Sequence, residues 1–208
     1  MEKQIESMLS CDAVQGSCEI IDTDVKQCLN KTAKPVRLLY FTDPICSSCW
    51  GVEPQLRKLE LAYVDYFSIE YRMGGLLKSW ESYGGRDVRS AAEVAQHWDE
   101  ASLHYGMPID GDVWIEDPLH SSYPPSIAFK AAQLPDEQKA VLFLRRIREM
   151  VFMEKKNITR WEHLAQAALE TGLEVEQLKK DYEGKAQELF EEDLNLARGM
   201  GVRGFPTF

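Results

Sequence analysis

Two cysteines, Cys46 and Cys49, lie two residues apart in the segment FTDPICSSCWGVEP, in a chain that has only five cysteines. Thiols at this spacing can form a disulfide with each other or supply half of a tetrahedral metal site. A thiol reacts as its thiolate, and an ordinary cysteine keeps its proton until about pH 8.5, so the surroundings must lower its pKa. The start of a helix lowers it, because unpaired N–H groups favour an anion there.

The residues after the pair predict a helix that begins at the cysteines. The apolar residues at helical spacing are Val52, Leu56, Leu59 and Tyr63. Pro54 is tolerated only in a first turn, which places the helix start at the cysteines themselves. Cys46 is therefore the predicted N-cap and nucleophile, with the N–H groups of Ser48 and Cys49 directed at its sulfur. Cys49, one turn later, is predicted to face inward, to stay protonated and to resolve the mixed disulfide.

A zinc site is the main alternative for the pair. Tetrahedral zinc needs four ligands, and the sequence contains no second C-x-x-C. The remaining ligands would have to come from distant histidines: His97, His104, His120 and His163. We therefore predict dithiol chemistry and no metal at Cys46 and Cys49.

The order of predicted elements describes an insertion. PVRLLYFTD, residues 35–43, is a nearly continuous apolar run typical of a buried strand, and FSIEYRMGG, residues 67–75, alternates like a second strand. Residues 76–200 are mostly helical in pattern, and residues 201–208 return to strand character, so the two ends of the helical block must meet. The predicted parts are an N-terminal Cys-containing arm (1–34) with short helical patterns, a core (35–75 and 201–208) and a helical insertion (76–200).

Local signals mark several helix ends inside the insertion. Gly172 and Gly201 are predicted helix stops, and Thr159 with Glu162 is a predicted capping box. The loop WIEDPLHSSYPPS is rich in turn and aromatic residues, and it either lines a groove beside the cysteines or is purely structural. His120 in this loop is expected to be solvated.

Composition excludes several functional classes. The 208 residues, 44% of them hydrophobic, can bury a core as one domain with an inserted subdomain. The net charge of −10 disfavours a nucleic-acid partner. No apolar run is long enough for a signal sequence or a membrane span, so we expect a cytoplasmic protein without membrane contact. A reducing compartment disfavours structural disulfides, which favours a catalytic or metal-binding role for closely spaced cysteines.

The quoted cysteine motif, YRMGGL, NIT before a helix, and LARGMGVRGFPTF together resemble the DsbA family of thiol-disulfide oxidoreductases, in the cytoplasmic branch with the FrnE-like predicted protein-disulfide isomerases. The resemblance runs from about residue 35 to the end. It implies an α/β, thioredoxin-like fold with a large all-helical insertion. It also implies that Cys46 is the nucleophile, Cys49 the resolving cysteine and Pro206 a cis-proline, with protein or peptide thiols and disulfides as clients and no cofactor.

Client binding is predicted at four positions around these residues. The backbone of Phe205, before the proline, would hold an extended client segment. The remaining three positions are Ser47, Ser48 and Trp50. Tyr40, Trp50 and Phe205 supply apolar walls around the sulfurs or, equally well, ordinary core packing.

A second resemblance points to binding instead of catalysis. FTDPICSSCWGVEPQLRKLE, DGDVWIEDPLHSSYPPSIAFKAAQ and KKNIT are similar to the SpxH adaptor family, which presents the transcription factor Spx to the ClpXP protease. That family holds a metal in an N-terminal arm through Cys and His. Here Cys11, Cys18 and Cys28 stand in a comparable arm without a histidine, so we expect solvated thiols there.

A third resemblance, to kappa-type glutathione transferases and hydroxychromene-carboxylate isomerases, implies a glutathione-dependent activity. Those proteins carry serine at the nucleophile position, so cysteine at both positions here favours dithiol chemistry. The chain also departs from the thioredoxin pattern. A thioredoxin core continues past its cis-proline with a further strand and a closing helix, whereas this chain stops at Phe208. We therefore expect the C-terminal elements of the core to be missing from this chain.

Overall fold

The structure, a computed structural model, describes residues 9–12, 17–20, 36–83 and 90–208, with side chains in the last two ranges. The strands are β1 (Leu9–Asp12), β2 (Ser17–Ile20), β3 (Val36–Thr42) and β4 (Phe67–Met73). The helices are α1 (Ser47–Ala62), α2 (Ala91–Tyr105), α3 (Val113–Glu116), α4 (Tyr123–Gln133), α5 (Glu137–Met153), α6 (Trp161–Glu170), α7 (Val175–Glu183) and α8 (Lys185–Gly199).

The described part of the N-terminal arm is a pair of short strands. β1 and β2 are antiparallel, and Cys11 lies opposite Cys18. The sequence analysis did not predict strands at these residues. Four-residue strands are too short to show the two-residue alternation that identifies a strand. Cys28 and the side chains of Cys11 and Cys18 lie outside the described part, so the expectation of metal-free thiols in the arm stays a prediction.

β3 and β4 form a parallel sheet, joined by α1. Their register pairs Val36 with Phe67 and Thr42 with Met73 over the whole length of both strands. Burial increases toward the carboxyl end of β3, where its last three residues are fully buried. Beyond β4, Gly75 adopts a φ of +67°, a left-handed conformation that favours glycine and turns the chain away from the sheet. Both strands and the helix between them confirm the predicted thioredoxin-like start.

The C-terminal residues return to the sheet beside β3. The backbone N–H of Phe41 donates to the carbonyl of Thr207 at 2.9 Å, and the N–H of Thr207 donates to the carbonyl of Phe41 at 3.1 Å. This antiparallel bridge brings the chain after α8 against the first core strand. The ends of the helical block therefore meet at the sheet, while the exact domain boundaries stay predictions.

The helical block and the sheet share one hydrophobic core. α5 is amphipathic, and its residues Phe143, Ile147 and Met150 are fully buried. The ring of Tyr71 in β4 contacts that of Phe129 in α4, with the ring centres 6.1 Å apart. This continuous packing allows residues of the helical block to reach the cysteine-bearing end of the sheet.

A buried ion cluster joins β4 to two helices of the block. Asp193 of α8 is fully buried and accepts hydrogen bonds from Arg72 at 2.8 Å and from the backbone N–H of Met73 at 2.9 Å. Lys130 of α4 lies 2.9 Å from the same carboxylate. Arg72 also pairs with Glu70. Because a buried carboxylate needs such partners, Asp193 fixes α8 against the outer strand.

Two local predictions need correction. The N-cap of α6 is Arg160 and makes no side-chain cap bond, whereas the Thr159 hydroxyl donates to the side chain of Asn157 at 2.6 Å. The Asn157 side chain therefore takes the place of the predicted capping box. Pro54 lies inside α1 and not in its first turn, because the helix already begins at Ser47. The predicted stop at Gly172 is confirmed, since it adopts a φ of +72° after α6.

Gly201, the other predicted stop, follows α8 with a φ of +71° and is likewise confirmed. The loop motif WIEDPLHSSYPPS contains one short helix, α3, and leads into α4. Among the residues that the structure describes, none of the helices is long and apolar enough to span a bilayer.

Candidate thiol site

Cys46 caps the helix that carries both cysteines. Its backbone is extended, with φ −79° and ψ 109°, and its sulfur accepts a hydrogen bond from the backbone N–H of Cys49 at 3.2 Å. Its carbonyl accepts the first helical bond, from the N–H of Trp50 at 3.1 Å. The predicted N-cap is therefore confirmed, with one N–H directed at the sulfur instead of the two expected.

The proline loop covers the outer sulfur. The peptide bond between Phe205 and Pro206 is cis, and the carbonyl oxygen of Phe205 lies 3.5 Å from the Cys46 sulfur, within reach of its S–H group. The bridge from Thr207 to β3 holds this loop in place. Residues separated by 159 positions in the chain thus meet at one sulfur.

Asp43 organises the loop between β3 and α1. The carboxylate is fully buried and accepts three hydrogen bonds: from the N–H of Ile45 at 3.0 Å, the N–H of Leu76 at 2.7 Å and the hydroxyl of Ser122 at 2.8 Å. Burial raises the pKa of Asp43 to about 6, although these donors favour the charged form. Asp43 therefore connects the cysteine loop to the chain after β4 and to the start of α4.

A buried arginine from the helical block stands behind the cysteines. Arg148 of α5 is 2% exposed. Its guanidinium donates to the Thr42 hydroxyl at 2.6 Å and to the Asp43 carbonyl at 3.2 Å, and it lies 3.4 Å from the Glu53 carboxylate. It thereby joins the end of β3 to the cysteine helix.

The inner cysteine is the more acidic of the pair. Cys49 is fully buried, and burial alone disfavours its thiolate. Hydrogen bonding from Cys46 and the positive charge of Arg148 outweigh this cost, and they lower the pKa of Cys49 to about 7. Cys49 faces inward as predicted, whereas its lowered pKa runs against the prediction that it stays protonated.

The surroundings of Cys46 disfavour a thiolate there. The hydrogen bond to Cys49 and the burial of the thiol, only 6% exposed as a residue, raise the pKa of Cys46 well above its usual range. This direction runs against the thiolate predicted at Cys46, which stays a prediction. The single N–H from the helix start lowers the pKa of Cys46, but it is a weaker influence than burial and the negative charge of Cys49.

A cavity of about 550 Å³, which we call the cysteine cavity, opens beside Cys46. Ser47, Ser48 and Phe205 line it next to the cysteine, so three of the four predicted client-binding residues meet there. The far wall is aromatic and the rim is charged or polar; these residues are Trp80, Trp98, Trp114, Glu93, His97 and Glu100. An apolar cavity with a polar rim is typical of a binding site.

The structure places Trp50 in the core. It is 4% exposed, its indole N–H donates to the Pro108 carbonyl at 3.1 Å, and its ring stacks on Phe152 with the centres 5.8 Å apart. Trp50 does not line the cysteine cavity. Its predicted client-binding role is corrected to core packing, because the first turn of α1 points this side chain toward α5.

The remaining side chains that the sequence analysis named are Tyr40 and His120. Tyr40 is buried and stacks against Phe208, with the ring centres 4.7 Å apart. His120 is exposed and does not line the cavity. In the same segment, Trp114 lines the cavity and the Ser122 hydroxyl donates to Asp43. Within residues 36–83 and 90–208, no three Cys, His, Asp or Glu side chains come together as metal ligands would.

Sequence reasoning missed two residues of this site, Asp43 and Arg148. Arg148 occurs in LFLRRIREMVF, at helical spacing with Leu144 and Val151, both buried. An arginine on the apolar face of a helix is a signal for a buried charge with a specific partner. The identity of that partner required the fold.

The helix-capping dithiol, the adjoining proline loop and the parallel strands define a protein of the thioredoxin-fold class. A family model described as thioredoxin matches residues 39–208. The ClpXP adapter protein SpxH of Halalkalibacterium halodurans is 38% identical over 206 residues, covering 98% of this chain and 67% of that protein. The chain therefore belongs to the thioredoxin family, together with the SpxH adapter proteins.

Other comparisons agree with this placement. SpxH of Bacillus subtilis is 33% identical over 183 residues, covering 86% of this chain and 60% of that protein. The chain thus spans 60% to 67% of the length of these two relatives.

Solved structures share the fold. A Nitrosomonas europaea protein assigned as a protein disulfide isomerase superposes with a TM-score of 0.72 at 20% identity, over 84% of this chain and 83% of that one. The cytosolic disulfide reductase DsbM of Pseudomonas aeruginosa superposes with a TM-score of 0.66 at 24% identity, over 82% of both chains.

Proposed function

We propose that this chain is the thioredoxin-fold part of a ClpXP adaptor, which binds a client protein and presents it to the protease. The observation that carries the proposal is the 38% identity to an SpxH adapter protein across 98% of the chain. By the same resemblance, the client is the transcription factor Spx.

The geometry of the thiols supports binding over rapid turnover. A thiol attacks a disulfide as its thiolate and must be reachable. Cys46 is only 6% exposed, and its pKa is raised by the hydrogen bond to Cys49 and by burial. A protonated, nearly buried thiol is a slow nucleophile, so the face around it suits a protein that holds its client.

The cysteine cavity is the proposed contact surface on this face. Phe205 is half-buried at its edge and offers an apolar ring next to Cys46. The wall behind it is rich in tryptophan, and aromatic anchors carry much of the energy of protein interfaces. A bulky apolar side chain of the client would fill the cavity, with polar client groups at its rim.

A calorimetric titration of Spx into the purified chain tests this proposal. We expect Phe205→Ala to weaken binding about tenfold, because it removes an apolar anchor. Phe208→Ala is the matched control: it makes the same change three residues away, at a 56% exposed ring outside the cavity, and should leave affinity unchanged. Absence of binding by the unmodified chain, or equal weakening by both variants, argues against the proposal.

Protein thiol-disulfide exchange is the second candidate function. The observation that favours it is the near-neutral pKa of Cys49, about 7, beside a Cys46 that faces the cavity. The Cys49 thiolate would take the proton of Cys46, and the Cys46 sulfur would then attack a client disulfide. The client S–S bond breaks as the mixed disulfide forms. The first client thiolate takes the proton from Cys49, and the Cys49 thiolate then attacks Cys46 and releases the second client thiolate, which takes a proton from solvent. The Cys46–Cys49 disulfide remains, so two electrons pass to the client.

A trapping experiment separates this candidate from the adaptor function. With a peptide that contains one disulfide, Cys49→Ser should accumulate a mixed disulfide through Cys46, since no resolving thiol remains. Cys46→Ser keeps the buried thiol and should accumulate none. Equal labelling of the two variants on denaturing gels, or none at all, removes exchange as a function and leaves the adaptor proposal as it stands.

A further inference from the structure

One hydrogen-bond donor in the wall of the cysteine cavity lacks an acceptor. Trp114 lines this cavity and is 2% exposed, and its indole N–H has no hydrogen-bond partner among the residues that the structure describes. Buried N–H groups are nearly always paired in folded proteins, because an unmet donor away from water is costly. The wall therefore offers a donor to a ligand that enters the cavity.

Other tryptophans near the cysteines have their acceptors within the fold. Trp80 lines the same wall, and its indole N–H donates to the carbonyl of Leu119 at 3.0 Å. Trp50 lies in the core, and its indole N–H donates to the carbonyl of Pro108 at 3.1 Å. The missing acceptor is therefore a particular property of Trp114 and not a common feature of these indoles.

Aromatic packing holds the indole of Trp114 in the wall. The ring of Trp98 is nearly perpendicular to it, at 84°, with the ring centres 5.3 Å apart. The ring of Trp80 crosses it at 80°, with the centres 6.0 Å apart. Because two large rings pack against the indole, it has little room to turn toward an acceptor elsewhere. The acceptor has to come to the donor.

The lining of the cavity limits which ligand can supply this acceptor. The wall near Trp114 contains the buried apolar residues Leu77 and Trp98, so the acceptor should sit at the tip of an apolar side chain. The rim carries Glu93 and Glu100, and no lysine or arginine of the described part lines the cavity, which disfavours a carboxylate. Tyrosine meets both conditions, because it joins an apolar ring to a neutral phenol oxygen that accepts hydrogen bonds.

We propose that the cysteine cavity binds a tyrosine side chain of the client and that Trp114 selects it by donating its indole N–H to the phenol oxygen. This inference rests on the proposed adaptor function, because it names the client side chain that the cavity takes. A phenylalanine in the same place would fill the cavity but leave the donor of Trp114 unmet, so the pocket discriminates between the two by one hydrogen bond.

Two blocked five-residue peptides test the proposal, one with a central tyrosine and one with a central phenylalanine between alanines. In an NMR titration of the ¹⁵N-labelled protein, the side-chain N–H signals of the five tryptophans report on binding. We expect the tyrosine peptide to bind about tenfold more tightly and to move the Trp114 signal further downfield. The Trp50 signal is the internal reference, because its N–H is already bonded outside the cavity.

A substitution at the donor makes the test specific. Trp114→Phe keeps an aromatic ring and removes the N–H, so the two peptides should bind with equal affinity. Trp161→Phe is the matched control: it makes the same change outside the cavity, where the ring packs against Tyr182 with the centres 5.4 Å apart, and it should keep the tenfold preference. If Trp114→Phe fails to fold, the comparison of the two peptides on the unmodified protein still decides the question.

Equal affinities of the two peptides for the unmodified protein would overturn the proposal. A Trp114 signal that both peptides move alike, a tyrosine preference that persists in Trp114→Phe, or no binding of either peptide would do the same. The titration with Spx judges the adaptor function separately. If Spx binds the chain while the peptides show no preference for tyrosine, the assigned occupant of the cavity is wrong and the adaptor function is unaffected.

Discussion

At the scale of single residues, the position of one shared proton governs the thiol site. The helix start provides one N–H to Cys46, whereas Cys49 receives a hydrogen bond from Cys46 and the charge of Arg148. Both influences favour a thiolate on the inner sulfur, while the outer sulfur lies 3.5 Å from the Phe205 carbonyl oxygen.

The first prediction concerns the pH at which the thiolate forms. The titratable or charged groups that act on the pair are Tyr40, Asp43 and Arg148. Because the pKa of Cys49 is lowered to about 7, the ultraviolet absorbance of thiolate should rise through pH 7 in the reduced protein. The thiolate is present above that pH and lost below it.

Cys46→Ser is the informative variant for this titration. The serine hydroxyl can still donate to Cys49, and Arg148 remains, so the near-neutral transition should persist. If the transition disappears in Cys46→Ser, the thiolate lies on the outer cysteine and our assignment is wrong.

At the scale of elements, two loops and the start of one helix must meet for the site to exist. Asp43 links the loop after β3 to Leu76 and to Ser122 at the start of α4. Phe205 packs beside the chain after β4, where a Cβ atom on Gly74 would overlap its ring. The site therefore depends on close approaches between segments that are distant in sequence.

Replacing the buried carboxylate tests the first of these links. Asp43→Asn puts an amide NH₂ where an oxygen now accepts hydrogen bonds, so at least one buried donor loses its partner. We expect a loss of about 2 kcal/mol in the free energy of unfolding, measured with urea. Asp65→Asn makes the same change at an exposed position and should cost almost nothing. Equal stabilities of the two variants would contradict the structural role of Asp43.

The second link is tested by a single methyl group. Gly74→Ala would push the ring of Phe205 away from the cavity edge, because the added Cβ occupies the position of that ring. The ring is the free end of a side chain, so stability should change by less than about 1 kcal/mol while client affinity falls about tenfold. Gly199→Ala, which meets open space, is the control. Unchanged affinity in Gly74→Ala would separate Phe205 from client binding.

The extent to which these elements follow from sequence depends on how local their signals are. β3, α1 and β4 were predictable because their apolar patterns, and the glycines that follow β4, lie within a few residues of sequence. The order of the elements predicted that the C-terminal residues return to the sheet. It did not predict the register that pairs Thr207 with Phe41. For Arg148, in contrast, the sequence showed only that it lies on the apolar face of a helix. The oxygens that bind it belong to β3 and the loop after β3, about 100 residues earlier in the chain. The acidity order of the cysteines likewise depends on that long-range contact.

At the scale of the whole molecule, the helical block is anchored to the sheet by packing and by one buried ion cluster. Asp193 of α8 binds β4 through Arg72 and the Met73 backbone, and it binds α4 through Lys130. The cluster lies at the outer strand of the sheet, while Arg148 anchors the other strand. Charged side chains of the helical block therefore bind residues of both strands.

Neutralising the cluster tests whether the two parts unfold together. Asp193→Asn leaves Lys130 nearly buried without its counter-charge, so we expect a loss of about 3–5 kcal/mol with a single cooperative transition. Glu192→Gln changes the exposed neighbouring carboxylate and should have little effect. A small loss, or two separate transitions in the unmodified protein, would show that the insertion is stabilised independently of the sheet.

The proposed adaptor function makes the broadest prediction for the molecule. The rate at which purified ClpXP degrades Spx, with and without this chain, is the most direct measurement of it. We predict that the chain shortens the half-life of Spx severalfold and that a Cys46→Ser, Cys49→Ser double variant retains most of this effect, because the client is held by the shape of the cysteine cavity. An Spx half-life that the unmodified chain leaves unchanged would contradict the account.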